Sequence, residues 1–390
     1  MKKIIYTLAL ALIISFNFND KKSLASDNGN EPDILEITVP RMVNSVVKDK
    51  SSRAIVENEE KKYSNEYISV NINKPIVRLN NKEIEGIINN KISKKVEEFE
   101  NYFTDLSKKD NLQYIQEGLQ PKQYVININN TVNYNKDNIL SLTLHLYSYT
   151  GGAHGSAVDK SYNFDLNTGN SGVIEDFLGK DKKYNKKITD SIKETINKNP
   201  NMYFKEITDN ITEIGYNQKF FLTDGYIVVY FDEYEIAPYA AGIVQFKIPL
   251  SNFKSPLSNV NIKVEAPSIK NITYEENTEE LNSYVMYPRV ENMANPDIEN
   301  KINNYFENQV LSFKENVIEK NKEYKGTEKY VRAITTYFKY VFKDKNSIVV
   351  DMTYSGNNDK DETIVLYNRK YSINLNNGEV SIINEEKPTS

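Results

Sequence analysis

The chain has 390 residues, of which 39% are hydrophobic, with 28 Tyr, 16 Phe and a net charge of −5. That length points to two domains rather than one core, and an acidic balance with no long basic stripe excludes nucleic acid as a partner. Cysteine is absent, which excludes a disulfide framework and thiol chemistry.

Residues 1–25 read as an export signal. Lys2 and Lys3 form the positive end, Ile4 to Phe18 the apolar stretch, and Ser23-Leu24-Ala25 a small-x-small cleavage site. The apolar run is short for a bilayer span of about 20 residues. The expectation is a cleaved signal, no transmembrane segment after cleavage, and a secreted or cell-wall-associated protein. Cleavage removes four Lys and one Asp and leaves a net charge of −8, which favours cationic partners. An exported, cysteine-free chain rich in Asn, Lys and Ile fits a Gram-positive cell envelope. Residues 26–62 read as a polar linker able to lend one strand.

From Tyr63 the elements become regular. "EYISVNINKPIV" is a strand, and "NNKEIEGIINNKISKKVEEFENYF" is a helix with Ile84, Ile88, Ile92, Val96, Phe99 and Phe103 on one face. Asn80, with Glu83 three residues on, is its predicted cap. Two strands follow, "YVININNTVNY" and "ILSLTLHLY", joined by the turn "NKDN". In the second, Leu140, Leu142, Leu144 and Leu146 face one way, and Ser141, Thr143, His145 and Tyr147 the other. Beyond "YTGGAHG", the segment "KSYNFDLNTGNSGVI" is a strand and turn. A helix, "YNKKITDSIKETI", and two strands, "QKFFLTDGYIVVYF" and "VQFKIPLSNF", complete the first half.

The same order returns. "SYVMYPRVEN" matches the first strand, "NPDIENKINNYFENQVLSFKENVI" the helix with Asn295 and Pro296 at its start, and "TTYFKYVFKDKNSIVVDMTYSG" the hairpin. "KYSINLNNGEVSI" matches "SYNFDLNTGNSGVI". The reading is an internal duplication. The fold class is α+β, with two related domains, each an antiparallel sheet with a packed amphipathic helix. A long domain covers 63–254, a linker 255–270, and a shorter repeat 271–384. The second copy has "YSGNNDKDETIVLYNRK" where the first has its glycine-histidine loop, so the loop is an addition that the scaffold does not need.

Only two histidines occur. His154 stands among Gly151, Gly152 and Gly155, which permit positive φ and close backbone approach. It reads as a ligand contact, as a turn-holding ring, or as a general base with Ser148, Ser156 or a threonine. No G-x-S-x-G elbow supports the base. A metal set of His145 and His154 with Asp159 or Asp165 would need a strand to turn back on itself, so neither metal nor cofactor is expected. In "FDEYEIAPY", Asp232, Glu233 and Glu235 read as a charged turn rather than as glycosidase carboxylates. Beside Tyr234 and Tyr239 that turn offers a landing site for a basic protein, with Pro238 and Tyr239 as a stiffened recognition pair. The expected contact surface is Tyr149, Gly151, Gly152, His154, Gly155 and Ser156 together with Glu233, Pro238 and Tyr239.

"YSYTGGAHG" followed by "FFLTDGYIVVYFDEYEIAPYAAGIVQFKIP" resembles the extracellular domain of RsiV-type anti-sigma factors, which sense lysozyme. It also resembles the non-catalytic N-terminal domain of PdaC-type peptidoglycan deacetylases. The likeness covers residues 63–254, and its first part recurs at 271–384. It implies an α+β module that binds a lysozyme-type basic protein or a cell-wall glycan outside the cell. An RsiV-type regulator needs a cytoplasmic sigma-binding segment, and only Met1, Lys2 and Lys3 precede the apolar run. A deacetylase needs an Asp/His/His metal set, for which two histidines inside the resembling domain do not suffice. A non-enzymatic binding module is therefore the expectation. A cell-wall hydrolase or deacetylase using His154 is the alternative.

Overall fold

Strict alternation builds the first sheet. The computed structural model describes residues 53–386 apart from 209, 210, 212, 279, 280, 326, 328, 359 and 361; the predicted export signal and most of the predicted linker lie outside them. Strands β1 (Ile55–Ser64), β2 (Ile68–Arg78), β3 (Tyr124–Lys136), β4 (Ile139–Tyr149) and β5 (Ser156–Asp165) lie side by side in that order. Ile68, Val70 and Ile72 of β2, Ile126 and Ile128 of β3, and the leucines 140–146 of β4 all point to one face. There they bury against Ile88, Ile92, Val96 and Phe103 of α1 (Lys82–Gln116). Their alternate neighbours form a polar outer face.

Three findings refine the sequence reading. Asn81, not Asn80, caps α1: its side chain accepts from the amides of Glu83 and Ile84 at 3.0 and 3.2 Å, while Glu85 reaches back to the Leu79 amide at 2.7 Å. The sheet is otherwise antiparallel, but β2 and β3 run parallel, because α1 carries the chain back before the next strand begins. The strand that the 26–62 linker was expected to be able to lend is the acidic segment 55–64, an edge strand paired with β2 along its whole length. Its exposed Glu and Lys side chains hide the strand from a search for alternation, and they also guard the edge.

A second α+β unit repeats this plan. Strands β9 (Ser268–Asn277), β10 (Asn282–Glu291), β11 (Val331–Asp344), β12 (Ser347–Asn358), β13 (Thr363–Asn374) and β14 (Glu379–Glu386) are adjacent in that order. Here too the helix, α5 (Pro296–Tyr324), joins two parallel strands, β10 and β11. It buries Ile302, Phe306, Val310 and Phe313 against the sheet. The likeness reaches single hydrogen bonds. Asn89 bonds both the amide and the carbonyl of Val77 at 2.8 Å; Asn303 does the same for Val290 at 2.8 and 3.0 Å. Asn111 holds Lys122, and Asn321 holds Val331, in the same two-bond manner.

Between these units in sequence lies a three-stranded sheet of β6 (Phe220–Thr223), β7 (Tyr226–Phe231) and β8 (Val244–Pro249). One face packs on α3 (Tyr184–Lys198) through Ile188, Ile192 and Ile196, with Phe177 and Leu178 of α2 (Ile174–Leu178) beside them; a single turn, α4 (Lys205–Thr208), follows α3. The sheet also covers the free edge of β5. The Tyr230 hydroxyl accepts from the Ser161 amide and donates to the Asp159 carbonyl, both at 3.1 Å. The Asn163 side chain donates to the Phe220 carbonyl at 3.0 Å. These bonds carry the turn after β7 to the loop before β5.

Candidate binding site

The loop between β4 and β5 is shaped by two of its glycines. Gly151 has φ +84°, which disfavours a side chain, and the flexible Lys122 side chain packs where a Cβ would stand. Gly155 is buried flat against Tyr147, whose hydroxyl would lie 2.2 Å from an added Cβ. Gly152 uses neither licence: its φ is ordinary and the space around it is open. The sequence reading gave all three one purpose; the structure separates them. His154 is exposed at the tip, and its Nδ1 bonds the Gly155 carbonyl at 3.0 Å.

The partner segment leaves β7 at Phe231. Asp232 and Glu233 turn inward and are each 8% exposed. Asp232 and Glu235 bind the Lys219 ammonium at 2.5 and 2.9 Å. Burial opposes that charge, yet the two carboxylates hold Lys219 above the usual lysine range. Glu233 accepts the Ala157 amide at 3.1 Å. Burial raises its carboxyl above the usual glutamate value, while the Ala157 bond and the nearby His154 pull the other way. Two of the three carboxylates predicted to form an acidic landing site, Asp232 and Glu233, are thus buried and fix the turn, while Glu235 stays partly exposed beside Lys219.

What the turn presents is aromatic. Tyr234 sits at φ +61°, a conformation a tyrosine adopts only when its surroundings impose it. Pro238, exposed at φ −60°, opens a short helical turn over Tyr239–Ala241. Tyr239 then lies on His154, with ring centroids 3.9 Å apart and planes 23° apart. Its hydroxyl donates to the same Gly155 carbonyl at 3.1 Å, and Tyr234 packs behind it at 5.7 Å. The loop and the turn, distant in sequence, form one surface.

Tyr149 and Ser156 flank this surface as half-buried ladder residues at the ends of β4 and β5. Sequence reasoning missed Tyr147, on which Gly155 rests, and Tyr230, which docks the sheets; alternation marked both as strand residues and nothing more. His145 belongs elsewhere. On the outer face of the first sheet its Nδ1 bonds Asp159 at 2.7 Å and its Nε2 bonds Thr131 at 2.9 Å. Among the described residues no group of three or more His, Asp or Glu side chains is placed to hold a metal ion. No helix among them is long and apolar enough to cross a membrane.

Residues 61–157 match the family model described as "Deacetylase PdaC", and residues 175–251 match "Protein of unknown function (DUF3298)". The region resembles the PdaC-like/DUF3298 domain family. Its site spans both matches, since His154 stands in the PdaC-like segment and Glu233 and Tyr239 in the DUF3298 segment. Among solved structures, a DUF3298 family member from Bacteroides fragilis is 19% identical, covers 54% of this chain and 96% of its own, and has a TM-score of 0.41. A DUF3298 family protein from Pseudomonas aeruginosa is 16% identical over 53% and 95%, with a TM-score of 0.36. No curated protein matches the chain.

Proposed function

We propose that this protein is an extracellular, envelope-associated binding module, and that it grips its ligand through His154, Pro238 and Tyr239 with Tyr149 and Tyr234 at the margin. The observation that supports this reading most is the His154–Tyr239 stack, tied from both sides to one backbone carbonyl. Rings locked before contact lose little conformational freedom on binding, and aromatic side chains dominate binding energetics. The ligand we favour is a lysozyme-type basic protein, attracted by the acidic mature chain. We further infer that residues 63–254 and 271–384 are related domains, a reading supported by their shared strand order and paired asparagine clamps. Calorimetric titration with lysozyme, at low and at physiological salt, tests the function. Saturable binding that is lost in a His154→Ala/Tyr239→Ala variant supports it; no heat at low salt rejects this ligand, and a parallel pull-down on purified peptidoglycan then tests the glycan.

A second reading rests on Thr131, His145 and Asp159. Their bonds follow the nucleophile–base–acid order of a hydrolytic relay, with Asp159 fixing the tautomer that leaves Nε2 to accept the Thr131 proton. Were the chain to cleave acyl groups, Thr131 would form the acyl ester and His145, not His154, would take its proton. Ester turnover abolished by both Thr131→Ala and His145→Ala would support that reading; turnover absent from the parent protein would dismiss it.

A further inference from the structure

An open depression of about 600 Å³ lies between α2 and the segment after the three-stranded sheet, and no residue of the His154 surface lines it. Glu175, Lys180, Lys182, Lys254, Ser255 and Ser258 are among its lining residues. The volume suits a sugar-sized ligand. Its wall is built rather than incidental: the Leu257 amide donates to the Phe177 carbonyl at 2.9 Å, and Asp181 accepts from the Lys254 amide at 3.0 Å and from Lys187 at 2.5 Å.

Two further features converge there. Lys180, Lys182 and Lys254 have no carboxylate partner among the described residues, although the protein as a whole is acidic. Asp181, the nearest candidate in sequence, is already engaged by Lys187. The backbone is also unusual: Ser255, Leu257 and Asn259 lie at φ +48°, +56° and +54°, while Pro256 and Ser258 between them do not. Three non-glycine residues in the left-handed region within five positions amount to strain of the kind found at ligand clamps. Pro256 has no N–H and the Leu257 amide is spent on the Phe177 carbonyl, so what this segment offers an anion is the amides on either side of that pair. The amides of Ser258 and Asn259 donate to no acceptor among the described residues.

We infer that this depression binds a phosphate group carried on a sugar-sized ligand, with Lys182 and Lys254 as the charged contacts and the 255–259 backbone as the cradle. Glu175 and Asp176, which line the same depression, disfavour a polyanion and favour a single phosphate with neutral hydroxyls. The assignment is independent of the His154 surface.

Equilibrium dialysis of the full chain at low ionic strength tests it, with inorganic phosphate, glucose 6-phosphate and acetate as probes. Saturable binding of both phosphates is expected, tighter for glucose 6-phosphate, with acetate inert. Lys182→Gln/Lys254→Gln should weaken both by about tenfold or more. Both lysines are exposed, so the variant should keep the parent's unfolding midpoint in phosphate-free buffer, while His154→Ala should bind phosphate as the parent does. Absent phosphate binding, acetate binding equal to phosphate, failure of glucose 6-phosphate alone, or full binding by the double variant would each overturn the assignment.

Discussion

His154 and Tyr239 stack at 3.9 Å although one follows β4 and the other follows β7. Each ring therefore depends on the other for its place. Replacing either with Ala should cost about 1–2 kcal/mol of ligand binding, in the range of an interface hot spot. The double variant should lose less than the sum, because the first change already frees the second ring. Calorimetry on the four proteins of the cycle measures this; strict additivity would show that the stack does not organise the site.

Gly155→Ala tests the close approach directly. An added Cβ would fall 2.2 to 2.5 Å from the hydroxyl oxygen and two ring carbons of Tyr147. The ring or the loop must move, at a cost of about 1–3 kcal/mol. Gly152→Ala, in open space at ordinary φ, should stay within about 0.5 kcal/mol of the parent. Denaturant unfolding of the pair reads the difference, and equal midpoints would show that the Tyr147 contact is dispensable.

Much of this was visible in the sequence wherever a period was clean. The stripe from Ile84 to Phe103 and the leucines of β4 announced α1 and its sheet, because burial on one face leaves a strict pattern. Strand β1 was foreseen only as one strand that the 26–62 linker could lend, without a place, for the opposite reason: at an edge, "IVENEEKKYS" needs pairing but little burial. The site was half legible. A lone histidine among glycines marked the loop, and "APY" marked the turn. The inward rotation of Asp232 and Glu233 was hidden, since it depends on Lys219 and the Ala157 amide, partners that only the tertiary fold brings near. The parallel pairing of β2 with β3 follows from where α1 returns the chain, which no local pattern records.

Asn89 and Asn303 offer a test of the repeated plan. Val77 lies beyond the stretch of β2 that pairs with β3, which ends at Ile72, so the Asn89 side chain supplies the missing hydrogen bonds. Val290 stands likewise beyond the short pairing of β10 with β11. Asn89→Ala leaves a buried amide and carbonyl unmatched and should cost about 1–3 kcal/mol; Asn303→Ala should cost a similar amount. Chemical unfolding of both variants checks this. A large loss for one and none for the other would break the equivalence.

Asp181 predicts an acid limb in the stability profile. Hydrogen bonds from Lys187 and from the amides of Lys183 and Lys254 lower its carboxyl from the usual 3.8 to about 2. A depressed carboxylate contributes stability above its unfolded value, and that contribution is lost as pH falls toward about 2. Asp181→Asn should therefore melt below the parent at neutral pH, and the gap should narrow through this window. A gap that stays constant with pH would mean that packing, not charge, sets the loss.

Glu233 predicts the opposite slope. Burial raises its carboxyl above the usual 4.5, so between that value and the raised one the folded state binds more proton than the unfolded state does. Stability then falls as pH rises from 4.5 through the raised value. Glu233→Gln removes this dependence, and its side-chain oxygen can still accept the Ala157 amide. The variant should match the parent in acid and equal or exceed it near neutral pH, as read by thermal melts across that range. Should it fall further behind as pH rises, then the Glu233 charge stabilises the turn, and attraction to the neighbouring His154 outweighs the cost of burial.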